Sequence, residues 1–262
     1  MSGSAKDRKT FRLRRAFCPE VGRPLERHTN CLQVAKPPKR PDPGLYSQPL
    51  DLSGTGSATW DSPDITTNLG GGIDDFVVVS VRNYSTDAPS VSTSVRVEIA
   101  EFGIGFESQS LGSHTTNLAR AGVAGSEADI SFFVPPSVRQ ERDVVAVTAT
   151  VSHPHDRDAL NNVGHQAWSA SPAQIGSDLN FAFRVRNRFS QQASFALQIV
   201  EADLPATLSS AAVTLLPGQT TSVVLRVAGN ATETGSQRFS IAAFQPNGAL
   251  YGGVFHRFDI GN

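Results

Sequence analysis

The sequence predicts an all-β protein: two tandem Ig-like β-sandwiches preceded by an irregular, basic N-terminal arm. Three observations point there. The tripeptide Val-Arg-Asn ends "FVVVSVRN" at Asn83 and ends "NFAFRVRN" at Asn187, 104 positions later, with similar strand-like runs following each copy. Apolar residues recur with period two in runs of strand length, which is the pattern of a half-buried strand. Charged residues make up only 18% of the 262-residue chain, while 22 Gly and 16 Pro supply turns. Such a balance suits short strands better than long helices.

Residues 1–57 form the arm. They read "MSGSAKDRKTFRLRRAFCPEVGRPLERHTNCLQVAKPPKRPDPGLYSQPLDLSGTGS", with poor apolar periodicity and recurring prolines. "KPPKRPDPG" must be extended or turning, because each Pro fixes φ and restricts the residue before it. Residues 1–44 hold eleven Lys or Arg against four acids, a net of +7, whereas the rest of the chain carries a net of −8. A basic extension is attached to an acidic body.

Residues 58–168 are expected to form the first sandwich. "FVVVSVRN" is followed by a turn and then by "VSTSVRVEIAEF", in which Val91, Thr93, Val95, Val97 and Ile99 fall on one face. "ADISFFVPP" and "DVVAVTATVSHP" add further strands ended by Pro or polar turns. Residues 169–262 are expected to form the second. There Leu179, Phe181, Phe183 and Val185 point inward, "ASFALQIVEADLP" matches the post-repeat run of the first copy, and Pro-Gly and Pro-Asn-Gly mark tight turns. In each copy the Val of Val-Arg-Asn should enter the core and the Arg face solvent. The Asn should bond nearby backbone at the turn. A repeat of about 100 residues built this way is what tandem sandwiches of immunoglobulin type require.

The landmarks "WDSPDI" (Trp60–Ile65), "VRN", "DALNNVGHQAWSA" (Asp158–Ala170) and "FRVRN…FALQI…LLPGQTTSVVLRV" carry a resemblance. In their order they look like the tandem Ig-like modules of bacterial surface and secreted proteins related to the bacterial cell-adhesion-related domain family. The resemblance covers about residues 58–260 and brings no catalytic residues. It implies spacers, adhesive units or appendages of larger proteins. The chain departs from that pattern in having two modules and a basic arm.

Chemistry-bearing clusters are few. His153, His155, Asp156 and Asp158 fall within "HPHDRDALNNVGH" and are weak candidates for a metal, since imidazoles at i and i+2 can share a strand face. The competing reading is an inter-strand turn in which Asp and Asn cap backbone groups. Cys18, His28 and Cys31 could ligate zinc, the two thiols could pair, or they could be two unremarkable arm cysteines. No Gly-x-Ser-x-Gly or His-Glu-x-x-His occurs. The glycines of "GGGIDD" and "GIGF" have no following helix for a phosphate and read as turns or bulges. A protein without enzymatic activity or cofactor is therefore expected.

No apolar run approaches the roughly 18 residues of a membrane span, so membrane insertion is not expected. The basic N-terminal residues precede no apolar stretch, so the expectation is cytoplasmic synthesis without a signal peptide. The final location stays open, an exported or extracellular assembly included. The leading functional expectation is a structural, protein–protein interaction subunit of a larger assembly: a filament, tube, phage-like particle or secretion apparatus. Arg8, Phe11, Arg12, Arg14, Arg15, Phe17 and Tyr46 would contact other copies or other subunits. Two alternatives accompany it: an adhesion module binding carbohydrate or protein, and a nucleic-acid-associated protein using the arm's cations on phosphates.

Overall fold

The computed structural model describes residues 39–45, 60–69, 75–136, 145–230 and 234–261. They form sixteen strands and one short 3-10 turn, at Ala159–Asn161. Eight strands build the first sandwich: β1 (Pro43–Gly44), β2 (Ile65–Asn68), β3 (Phe76–Asn83), β4 (Ser90–Glu101), β5 (Ser108–Leu118), β6 (Glu127–Phe133), β7 (Val145–Ser152) and β8 (Val163–Gln166). In one sheet β3 is flanked by β6 on one side and by β2 and β1 on the other. The second sheet runs β5-β4-β7-β8. Val77, Val79 and Val81 of β3 face Val95, Val97 and Ile99 of β4 and Val147, Ala149 and Val151 of β7 in one dry core.

The second sandwich contains β9 (Trp168–Gln174), β10 (Asp178–Arg186), β11 (Ala193–Ala202), β12 (Ala206–Leu208), β13 (Ala212–Leu215), β14 (Thr220–Asn230), β15 (Gly235–Phe244) and β16 (Leu250–Gly261). Its sheets run β10-β14-β12 and β13-β11-β15-β16-β9, with β9 parallel to β16. Phe183, Phe195, Leu225, Phe239 and Ile241 fill the space between them. The all-β prediction describes the fold, and both copies of the repeated tripeptide occupy equivalent strands, β3 and β10.

One expected inward residue points the other way. Val91 is 57% exposed while Ser90 is fully buried. Ser92 has a φ of 61°, and the β4–β5 register shifts between Ser90 and Thr93. The extra residue rotates the strand start, so the period-two pattern holds only from Thr93 onward. Ser90 and Thr93 hydroxyls bond each other at 2.6 Å inside the core, which satisfies polar atoms that burial would otherwise penalise.

The two sandwiches are joined without slack. Only Ala167 separates β8 from β9, and both of its backbone groups are used: its N–H donates to Trp60 O at 2.9 Å and its C=O accepts from Phe255 N at 2.8 Å. Trp60 is 3% exposed and packs in the core of the second sandwich. A Cβ on Gly253 would lie 2.3 Å from the indole, so only glycine fits beneath it.

Candidate interaction surface at the arm root

The repeated asparagine organises one end of each sandwich. Asn83 is 2% exposed and Asn187 is fully buried. Asn187 Nδ2 donates to Gln191 O (2.8 Å) and Leu215 O (2.9 Å), and its Oδ1 accepts from Phe189 N (2.9 Å). Asn83 Nδ2 likewise donates to Ala88 O (2.9 Å) and Ala119 O (3.0 Å), with Oδ1 accepting from Ser85 N at 3.1 Å. Each amide thus ties the strand end to its own turn and to a distant strand. Burying a polar side chain is tolerated because its capacity is nearly filled. Val81 and Val185 are fully buried beside them, and Arg82 and Arg186 reach solvent as expected.

At Asn83 the Oδ1 accepts a fourth bond, from Asp42 N at 3.0 Å. That bond belongs to a run of contacts that fastens residues 39–45, which the sequence reading left in the irregular arm. Arg40 O accepts from Ser85 Oγ (2.7 Å), and Pro41 O accepts from Arg157 N (2.9 Å). Asp42 O accepts from Tyr84 N (2.8 Å), and Leu45 N donates to Asn161 O (2.7 Å). β1 pairs with the end of β3, Pro43 opposite Asn83. Leu45 is 1% exposed and belongs to the first core.

The same edge of β10 is treated alike. Ile104, in the β4–β5 turn of the first sandwich, bridges Val185: its N–H donates to Arg184 O (2.9 Å) and its C=O accepts from Arg186 N (2.8 Å). Its side chain is 1% exposed and enters the second core. Gly105 has φ +80°, and a Cβ there would meet Arg186 O at 2.2 Å and Tyr251 Oη at 2.4 Å. Tyr251 Oη donates to Arg186 O (2.7 Å) and accepts from Arg188 N (3.0 Å). Glu101 pairs with Arg184, whose guanidinium lies 5.2 Å from the Phe106 ring centre. The glycines of "GIGF" therefore serve a turn, as expected, but the aliphatic residue between them is a plug that sequence reading missed.

Strand directions put the Asn83 corner and residues 39–45 at the end of the first sandwich remote from the second. Four exposed large apolar side chains collect there: Tyr84, Val91, Val123 and Leu160. Tyr84 follows the corner directly, and Val91 opens β4. Val123 lies in a turn whose Ala121 N–H donates to Ser85 O (2.8 Å), and Leu160 neighbours Asn161.

The weak metal candidates also sit at this end, in the turn after β7. Their polar atoms serve the turn itself. His153 Nε2 bonds Val91 O (2.9 Å), and its Nδ1 accepts from His155 N (3.1 Å). Asp156 accepts from Asp158 N (3.1 Å) and Asn162 Nδ2 (2.6 Å). Asp158 caps the 3-10 turn by accepting from Leu160 N at 3.0 Å. Arg40 clasps the turn by donating to His155 O and Asp156 O. Among the described residues no three His, Cys, Asp or Glu side chains are grouped as metal ligands. Arg8, Phe11, Arg12, Arg14, Arg15, Phe17 and Tyr46, together with Cys18, His28 and Cys31, lie outside the described residues.

Two histidines of the body are held neutral. His256 is 2% exposed; its ring nitrogens bond Ser169 Oγ (2.8 Å) and Ser171 Oγ (3.0 Å), and Phe181 stacks on it at 3.8 Å. Burial lowers its pKa to about 4, against the opposing pull of Asp259. His165, bonded through Nδ1 to Thr148 Oγ1 at 3.1 Å, is likewise lowered to about 4 by burial. It lines a cleft of about 490 Å³ between the sandwiches, with Trp60, Phe106 and Tyr251. Trp168 is partly buried, with Arg257 over its ring at 5.2 Å. Both tryptophans are junction packing residues.

No family model matches the chain and no curated protein matches it, the bacterial cell-adhesion-related family included. Among solved structures it is similar to WR4, a Caenorhabditis elegans MSP family member, at 6% identity over 35% of this chain and 92% of that one, TM-score 0.27. PapD-like domain 7 of human CEP192 matches at 6% identity over 36% and 81%, TM-score 0.29. Escherichia coli alpha-2-macroglobulin activated by porcine elastase matches at 10% identity over 85% and 22%, TM-score 0.29.

Proposed function

We propose that the protein is a non-enzymatic interaction subunit of a larger assembly, with residues 1–38 reaching a neighbouring copy or subunit. The observation that carries this is the root of the arm. Arg40–Leu45 are bonded into the first sandwich at the end remote from the second, so the segment preceding Lys39 is tethered to a fixed point on the body. Residues 1–38 hold nine Lys or Arg against three acids, while everything after residue 44 is net −8. Opposite charge between copies steers encounter and sets register more than it supplies affinity. Affinity would come from burying Phe11, Phe17 and the apolar side chains Tyr84, Val91, Val123 and Leu160, since exposed apolar clusters mark contact surfaces.

The test is the solution mass of the full chain against a chain beginning at Lys39, at low and moderate salt. Starting there keeps Leu45 in the core. Larger species that require residues 1–38 and weaken with salt support the reading. Identical monomers contradict it. Nucleic acid retained only by the full chain, and released by salt, would favour the phosphate-binding alternative instead.

A further inference from the structure

Every long sheet edge among the described residues but one carries charge, proline or a covering segment. β6 ends one sheet with Glu127 and Asp129, and β10 carries Asp178, Arg184 and Arg186 with Ile104 laid against it. β9 has Pro172 at its middle. β2, β8, β12 and β13 are four residues or shorter. Charge, proline, covering, brevity and β-bulges are the usual means of keeping an open edge from pairing. β5 has only the last of these. It terminates the sheet order β5-β4-β7-β8, runs eleven residues as "SQSLGSHTTNL", and holds no Pro, Lys, Arg, Asp or Glu. Eight of its residues are exposed, on both faces. A bulge at Leu111, where the register against β4 shifts and Gly112 takes φ +126°, guards only the start of the strand. Gly112–Thr116 then pair with β4 without interruption, and the register shifts again between Thr116 and Leu118.

We propose that β5 is a pairing edge for the β5 of a second copy, antiparallel about a two-fold axis at Thr115. The strand's own chemistry selects that occupant. An isologous contact sets each residue against its own kind, which a charged edge resists and an uncharged one permits. A two-fold at Thr115 places Thr115 opposite Thr115 of the second copy and Ser113 opposite its Asn117. Hydroxyl and amide pairs of this sort are favourable across antiparallel strands. The basic arm is the poorer occupant, because β5 offers no acid to attract it. Pairing joins two four-stranded sheets into one of eight, and main-chain hydrogen bonds supply the affinity. This contact is separate from the one proposed for residues 1–38: it lacks ion pairs, so salt leaves it intact, whereas arm contacts weaken.

The experiment compares the full chain with S113K/T115K, also full length, by sedimentation equilibrium over a concentration series at moderate salt. Ser113 and Thr115 are exposed, and an unchanged circular dichroism spectrum verifies the fold. The expected result is a wild-type dimer and a variant whose self-association is weakened by at least about tenfold, as like charges opposed across a strand pair require. A wild-type chain that stays monomeric at moderate salt overturns the proposal. So does a dimer that the two lysines leave untouched. Association that disappears with salt belongs to the arm and counts against β5.

Discussion

Leu45 and Ile104 do the same job in consecutive sandwiches. Each is carried on a short segment added beside the end of the Val-Arg-Asn strand, on the edge away from β6 or β14, and is 1% exposed. Leu45 comes from the root of the arm and Ile104 from the turn of the preceding sandwich. The first plug secures the arm to the body, and the second secures one sandwich to the next.

Truncating either plug opens a cavity at a site that cannot collapse easily. Leu45→Ala and Ile104→Ala should each cost about 2–4 kcal/mol. Chemical denaturation measures the loss. Leu45→Ala should also raise hydrogen exchange at the end of β3, and Ile104→Ala at the end of β10.

Gly105→Ala should be worse than its single methyl suggests. The residue sits at φ +80°, and the new Cβ would lie 2.2 Å from Arg186 O. Backbone strain and lost bridge hydrogen bonds combine, so a destabilisation above roughly 2 kcal/mol is expected. Gly253→Ala should act alike by displacing the Trp60 indole, which its fluorescence would report.

Asn83→Ala and Asn187→Ala remove polar atoms that satisfy buried backbone groups. Each should cost about 2–4 kcal/mol, since orphaned carbonyls lose both the bond and access to water. Asn→Asp is the sharper probe. A carboxylate cannot donate to Ala88 O and Ala119 O, or to Gln191 O and Leu215 O, so it should destabilise at neutral pH in the same denaturation assay.

Acid should unfold this protein through its histidines as well as its carboxylates. His256 and His165 titrate near 4 when folded, below the ordinary value of 6.5. Between those limits the unfolded chain binds protons that the folded chain refuses. Stability is therefore full above about pH 6.5 and falls as pH drops toward 4, by roughly 3 kcal/mol for His256 and less for the cleft-lining His165. His256→Gln should flatten that fall in a pH series of denaturation midpoints.

The strands were legible because β-branched residues alternate over long runs, and Asn83 and Asn187 announced themselves by recurring in the same word. Neither plug was. Leu45 follows four prolines and a net positive stretch, which reads as unstructured chain, and nothing local says that its N–H bonds Asn161 O and its side chain enters the first core. Ile104 is one aliphatic residue between two glycines; its destination is the next sandwich, which periodicity does not encode. Val91 misled for a related reason. Its spacing fits the apolar face, but Ser92, the next residue, sits in the left-handed region and breaks the alternation. A cross-strand bulge is a property of the pair of strands, and only one of them was in view.

The interlock of the two sandwiches is tested most directly by calorimetry of the full chain. Ala167 spends both backbone groups at the junction, Trp60 is shared with the second core, and Ile104 plugs β10. The two sandwiches should therefore unfold in one transition, with calorimetric and van't Hoff enthalpies in agreement. Two resolved transitions in the wild-type protein would contradict the account.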